Sequence, residues 1–163
     1  MSIEFSDGGI ILILVVMLER NTQAFVLLIF CQVYVEAYTC PCIRYHPSDA
    51  CFVSQSNGNY IAIFSSRPPF KLDKYKRYED HVVSGFPVKC NFSLDGNELA
   101  SGSADGCIYV YNYRTSELVR KIKAFEEACV DVAYHPVMPN VIAACGWNVC
   151  CRPRMVFWGH SNR

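Results

Sequence analysis

The chain has 163 residues, 15 of them basic and 15 acidic, so its formal net charge is zero, and 52% of its residues are hydrophobic. Zero net charge supplies no global field for nucleic acid or anionic lipid, which restricts any such contact to a local patch. The ten cysteines are not preceded by a basic region, apolar stretch and cleavage site, so they read as free thiols in a reducing compartment rather than as a secreted disulfide framework. The first elements in chain order are two apolar runs, Ile10–Leu18 and Ala24–Cys31, separated by Glu19-Arg20-Asn21-Thr22-Gln23. Those polar residues fall where the middle of a membrane span of about 20 residues would lie. Two buried strands joined by a polar turn fit better, with a buried helix and a membrane segment as the competing readings. Ile3-Glu4-Phe5-Ser6-Asp7-Gly8 reads as the end of one further strand and its turn.

Beyond residue 35 the pattern becomes regular. Short strands are expected near 39–45, 51–55, 59–64, 86–92, 98–103, 107–111, 118–122, 129–134 and 140–145. Val88–Tyr113 is the clearest stretch. Asp95-Gly96 and Asp105-Gly106 each offer the positive φ that a tight hairpin turn needs, so the stretch reads as three antiparallel strands. Leu99-Ala100-Ser101-Gly102-Ser103 fills the middle one. A second copy runs from Ile43-Arg44-Tyr45-His46-Pro47 through Phe52–Ser56 and Asn57-Gly58 to Asn59–Phe64, and a third from Val132-Ala133-Tyr134-His135-Pro136 to Val141–Asn148. Tyr45, Phe92 and Tyr134 occupy matching places, close to the period of about 40–45 residues that marks propeller blades. The fold class expected is therefore all-β: an unclosed β-propeller of about three blades, each a four-stranded antiparallel sheet. Cys51, Cys90, Cys107, Cys129 and Cys145 fall on these strands, where a thiol packs as a small hydrophobe.

The string from Phe92 to Tyr111, F-S-x-D-G-x-x-L-A-S-G-S-x-D-G-x-I-x-V-Y, resembles the blade core of the WD-repeat family. Residues 32–147 are similar to one branch of it, the WD-repeat factors of the second step of pre-mRNA splicing. The residues carrying that likeness are Tyr38-Thr39-Cys40-Pro41, Gln55–Tyr60, Tyr78-Glu79-Asp80-His81 and Cys129–Pro136. The resemblance implies a non-enzymatic scaffold that holds protein partners, possible spliceosomal proteins among them, in the nucleus or otherwise the cytoplasm. It divides the chain into a degraded first blade (1–35), a WD-like blade (36–81), a WD blade (82–128), the start of a third blade (129–148) and a non-repeat tail (149–163). It also implies a buried hydrogen-bond network drawn from His81, Ser101, Ser103 and Asp105. The family's Trp-Asp pair is replaced by Phe64-Ser65 and Tyr111-Asn112, and Asp80 stands where the family has glycine before its histidine. Tyr111, with an aromatic body and a hydroxyl, is a partial substitute for the tryptophan, and reduced blade stability is expected. Family rings most often hold about seven blades, roughly 300 residues. A truncated or alternative product without independent function is thus a further expectation. Val149-Cys150-Cys151-Arg152-Pro153-Arg154 breaks the pattern, and Pro153 cannot donate in a central strand, so the third blade is expected to lose its outer half.

Chemistry is sparse. Cys40-x-Cys42-x3-His46 places two thiols on one face of a strand, but structural zinc takes four ligands in close pairs and no second pair converges. There is no G-x-S-x-G elbow, and His46 and His135 both sit before proline as turn residues. No phosphate-cradling G-x-x-x-x-G-K-[ST] or G-x-G-x-x-G occurs. No catalytic residue, cofactor, metal or small-molecule substrate is expected. One charged constellation remains: Lys71, Lys74, Lys76 and Arg77 interleaved with Tyr75 and Tyr78. Basic residues beside aromatics suit single-stranded RNA, by phosphate neutralisation and base stacking. The plainer reading is an outer strand whose lysines block edge pairing, and Asp73, Glu79 and Asp80 dilute the patch.

Overall fold

The computed structural model describes residues 10–15, 27–32, 40–67, 70–139, 141–147 and 153–159. Strands β1 (Ile10–Val15) and β2 (Leu27–Gln32) form an antiparallel pair running from Ile10 opposite Gln32 to Val15 opposite Leu27. The described parts of the two apolar runs are therefore strands, and the polar turn expected between them lies outside the described residues. The strand and turn expected over Ile3–Gly8 lie outside the described residues.

Three antiparallel meanders follow. The first sheet orders β3 (Cys42–Tyr45), β4 (Cys51–Ser56), β5 (Tyr60–Ser65) and β6 (Leu72–Tyr78). The second orders β7 (Cys90–Phe92), β8 (Glu98–Ser101), β9 (Cys107–Asn112) and β10 (Leu118–Lys123), and the third β11 (Cys129–Tyr134), β12 (Val141–Trp147) and β13 (Pro153–Gly159). Each strand pairs with the next in sequence because the connecting turns are short. Gly96 and Gly106 adopt φ of 73° and 77°, as the Asp-Gly turns require. In the first sheet the positive φ falls on Asn59, at 66°, rather than on Gly58; asparagine tolerates that region better than most residues.

The inner strands β3, β7 and β11 lie side by side. The Lys89 N–H donates to Val130 O at 2.8 Å, Ser103 and Cys129 form an antiparallel bridge, and Lys89 pairs with Asp131 at 2.9 Å. Among the described residues the three meanders form an open arc of an all-β, unclosed propeller. Alternation along each strand fills the gaps between blades. Val53, Ile61, Ile63 and Tyr78 of the first sheet meet Cys90, Phe92, Leu99, Tyr109 and Tyr111 of the second. From the second sheet's other face, Ala100, Ile108, Val110 and Ile122 meet Cys129, Val132, Ile142 and Ala144 of the third.

β6 completes the first sheet as the outer strand expected over the basic constellation; three of its seven residues face solvent, so it carries little hydrophobic alternation. One strand departs from expectation. The third sheet does not stop at its second strand, because β13 pairs with β12 from Trp147 opposite Pro153 to Val141 opposite Gly159. Pro153 is the first residue of an outermost strand, a place where a missing N–H costs no ladder bond.

Candidate functional site

Among the described residues, buried polar side chains, His46, Gln55, His81, Ser93, Ser101 and Ser103 among them, lie at the junctions between blades. At the first, His81 is wholly buried together with Gln55, Ser101 and Tyr111. The Gln55 amide donates to His81 Nε2 at 2.7 Å and to Ser56 O at 3.2 Å. With Nε2 thereby an acceptor, the proton sits on Nδ1, which donates to the Tyr111 hydroxyl at 3.0 Å; the His81 backbone N–H donates to the same oxygen at 3.1 Å. The single Ser101 O–H has two acceptors within reach, Gly102 O at 2.9 Å and Gln55 Oε1 at 3.3 Å. Burial lowers the His81 pKa to about 4, with Asp105 acting weakly in the opposite direction. Protonation would also set an Nε2–H against the Gln55 amide, two donors face to face.

The remaining members of the expected network face elsewhere. Ser103 ties down the backbone beside His81, accepting from Val82 N–H at 3.1 Å and donating to Val82 O at 3.2 Å. Asp105 accepts from Cys107 N–H at 3.0 Å and from the Tyr109 hydroxyl at 2.8 Å, and pairs with Lys121 at 2.9 Å. Burial raises the Asp105 pKa, but hydrogen bonds from Lys121, Ser103, Tyr109 and Cys107 outweigh it and hold the carboxyl well below its usual range. Tyr111, standing at the family's tryptophan position, is thus the group that meets the histidine, and Asp105 serves the hairpin that carries it.

Two residues gain roles that the sequence did not disclose. Gln55 bridges blades, and nothing in Val53-Ser54-Gln55-Ser56 marks it out. His46 is more than a turn residue. Its Nδ1 accepts from Ser48 N–H at 3.2 Å and Asp49 N–H at 2.8 Å, while Nε2–H donates across the junction to Gly96 O at 2.9 Å. The ring lies 4.9 Å from the Phe92 ring and 4.3 Å from that of Tyr113. Gly96 has no Cβ, and any would run into the imidazole. His135 repeats only the local half of this arrangement, its Nδ1 accepting from Val137 and Met138 N–H at 3.1 and 2.9 Å.

The cysteines and the basic strand are equally specific. Cys40, Cys42, Cys51, Cys90, Cys107, Cys129 and Cys145 are free thiols. Cys42 donates to Cys90 O at 3.6 Å while His46 is committed to Gly96, so Cys40, Cys42 and His46 do not converge. Among the described residues no group of three His, Cys, Asp or Glu side chains is arranged to hold a metal ion. On β6 the constellation divides. Tyr78 is buried and donates to Tyr113 O at 2.9 Å, which removes it from any stacking surface. Lys76 lies over the Tyr113 ring at 5.2 Å; Arg77 lies over Tyr60 at 4.8 Å and faces Glu79 at 3.8 Å. Lys71 and Lys74 are exposed, and Tyr75, 99% exposed, is the one ring of the set turned to solvent.

The WD domain, G-beta repeat family matches residues 73–112, from β6 through the buried His81 to the end of β9. Mouse WD repeat-containing protein 25 is 40% identical over 116 residues, covering 71% of this chain and 22% of that protein. Human Pre-mRNA-processing factor 17 is 28% identical over 111 residues, 68% of this chain and 19% of the relative. The human U5 small nuclear ribonucleoprotein 40 kDa protein is 33% identical over 57 residues, 35% of this chain and 16% of its own length. The chain spans about a fifth of the length of the first two of these relatives. Four-stranded meanders with Asp-Gly turns, a buried histidine tied to the third strand of its blade, and these matches together place the chain in the WD-repeat family.

Proposed function

We propose that the chain is a non-catalytic scaffold that holds protein partners in pre-mRNA splicing, in the nucleus. The observation that carries this reading is the similarity of two-thirds of the chain to a protein named for pre-mRNA processing. The interior agrees with it. The polar groups of His81, Gln55, Ser101 and Tyr111 are engaged with one another inside the blades, so they support the fold rather than meet a substrate. The surface exposes apolar side chains at turns, Leu94, Val137 and Met138 among them, as a protein-binding surface would.

The rival is RNA contact on β6, through Lys71, Lys74, Lys76 and Arg77 with Tyr75. The test is one variant in two assays. In Lys74→Glu/Lys76→Glu, a scaffold keeps the spliceosomal proteins that the unaltered chain enriches from nuclear extract, and neither form binds a single-stranded RNA oligonucleotide tightly. An RNA module instead binds the oligonucleotide with an affinity that falls steeply with salt and is lost on charge reversal. That second pattern overturns the scaffold.

A further inference from the structure

The junction between the second and third sheets lacks the ring that crosses the one before it. In the first blade the position at the end of the inner strand is His46, whose ring crosses to the next blade and packs on Phe92. The repeat places Ser93 at the same position of the second blade. A serine is too short to cross: its hydroxyl donates to Asp95 Oδ1 at 2.6 Å within its own turn and accepts from Glu98 N–H at 2.9 Å. What remains is a groove of about 290 Å³. Its far wall is Tyr134, the counterpart of Phe92, with His135 beside it in the lining; no imidazole from the second blade crosses to that ring. Leu94 and Met138, 63% and 50% exposed, form an apolar rim.

The charge at this groove is acidic. Glu98 is neutralised by Arg120, at 3.1 and 3.2 Å, and accepts from the Tyr134 hydroxyl at 3.0 Å. Asp95 also lines the groove, and hydrogen bonds from Ser93 and Asn97 lower its pKa. Among the described residues no cation pairs with it. A cationic side chain is therefore the complementary neighbour for whatever enters.

We propose that this groove docks a peptide segment of a protein partner that inserts a ring side chain, of the size and polarity of His46, beside a lysine or arginine. The inserted ring takes the place against Tyr134 that His46 takes against Phe92, and the basic residue meets Asp95. This deepens the scaffold reading above and rests on it, by naming one surface and the chemistry of its occupant.

The probe is the tetrapeptide acetyl-Arg-His-Pro-Ser-amide, patterned on the segment that fills the preceding junction, with acetyl-Arg-Ala-Pro-Ser-amide as control. Each is titrated into the full chain and followed by amide and methyl NMR shifts. Saturable shifts are expected at Leu94, Asp95, Tyr134 and Met138, with the alanine peptide binding at least fivefold more weakly. Ser93→His, which supplies the missing ring from within, should weaken peptide binding at least tenfold. Leu94→Lys, at an exposed position, removes apolar rim and opposes the basic peptide, and should do the same. If Ser93→His does not fold, Leu94→Lys decides alone. The proposal is overturned if no saturable shift is seen by about 1 mM peptide, the weak end of measurable affinity, or if the folded variants bind undiminished. A chain that fails with the peptide yet still enriches spliceosomal proteins loses this groove and keeps its scaffold role. Loss of that enrichment as well removes both.

Discussion

Replacing Tyr111 by phenylalanine removes one oxygen from the inside of the first junction and leaves two donors without a partner. The His81 backbone N–H and Nδ1–H both donate to that hydroxyl, at 3.1 and 3.0 Å, and His81 and Tyr111 are fully buried. A buried donor left unmet costs about 1–3 kcal/mol. Some of that is offset because the hydroxyl no longer has to be taken out of water, so a net loss of about 2 kcal/mol is expected. For a chain of this size each kcal/mol lowers Tm by roughly 2–4 °C, giving a fall of roughly 4–8 °C. The comparison is Tyr109→Phe. That hydroxyl donates to Asp105, which keeps Lys121 and the Cys107 N–H and whose side chain is 34% exposed, so its loss should cost less than about 1 kcal/mol. Urea unfolding followed by circular dichroism measures both. If the two variants lie within about 0.5 kcal/mol of each other, ordinary scatter for unremarkable substitutions, the Tyr111 hydroxyl does not anchor His81 and the account of the junction is wrong.

Acid should destabilise the fold through His81. Its folded pKa, about 4, lies below the ordinary 6.5, so the unfolded chain binds the proton first; stability is lost as pH falls from about 6.5 to 4 and levels off below that. The full effect is on the order of 3 kcal/mol, and a His81→Gln variant showing the same loss over that window would refute the assignment. Gly106→Val should prevent stable folding or cost at least about 3 kcal/mol, because a Cβ there meets the carbonyl oxygens of Glu127 and Phe125 in addition to the strain of a φ of 77°; a shift below about 1 kcal/mol would contradict the turn. Leu99→Ala, fully buried between the first two sheets, should cost about 2–5 kcal/mol, read in the same urea titration. Chelator and reductant should each leave the thermal transition in place, and a shift of several degrees with either would overturn the account of the cysteines as buried free thiols.

The sequence by itself determined the elements whose cause is local. Asp95-Gly96 and Asp105-Gly106 specify their turns wherever they occur, and the alternation in Leu99–Ser103 and Cys107–Tyr111 fixes which side chains face a neighbouring blade. Strands with weak alternation carry less signal. β6, with three of its seven residues exposed, is legible only through its basic and aromatic residues, and β13 begins at a proline, which the first position of an edge strand permits. The tertiary structure alone decided everything that depends on what lies across a junction. His46 and Ser93 stand at equivalent repeat positions, yet one reaches the next blade and the other stays within its own turn, because side-chain length matters only against an opposing blade. Gln55 and Tyr111 take their roles from the buried imidazole between them. The pairing of Lys76 and Arg77 with rings, and the withdrawal of Tyr78 into the core, divide a patch that reads as continuous in sequence. Turn chemistry acts over a few residues of chain; burial and partner choice arise only when distant residues share the same dry volume.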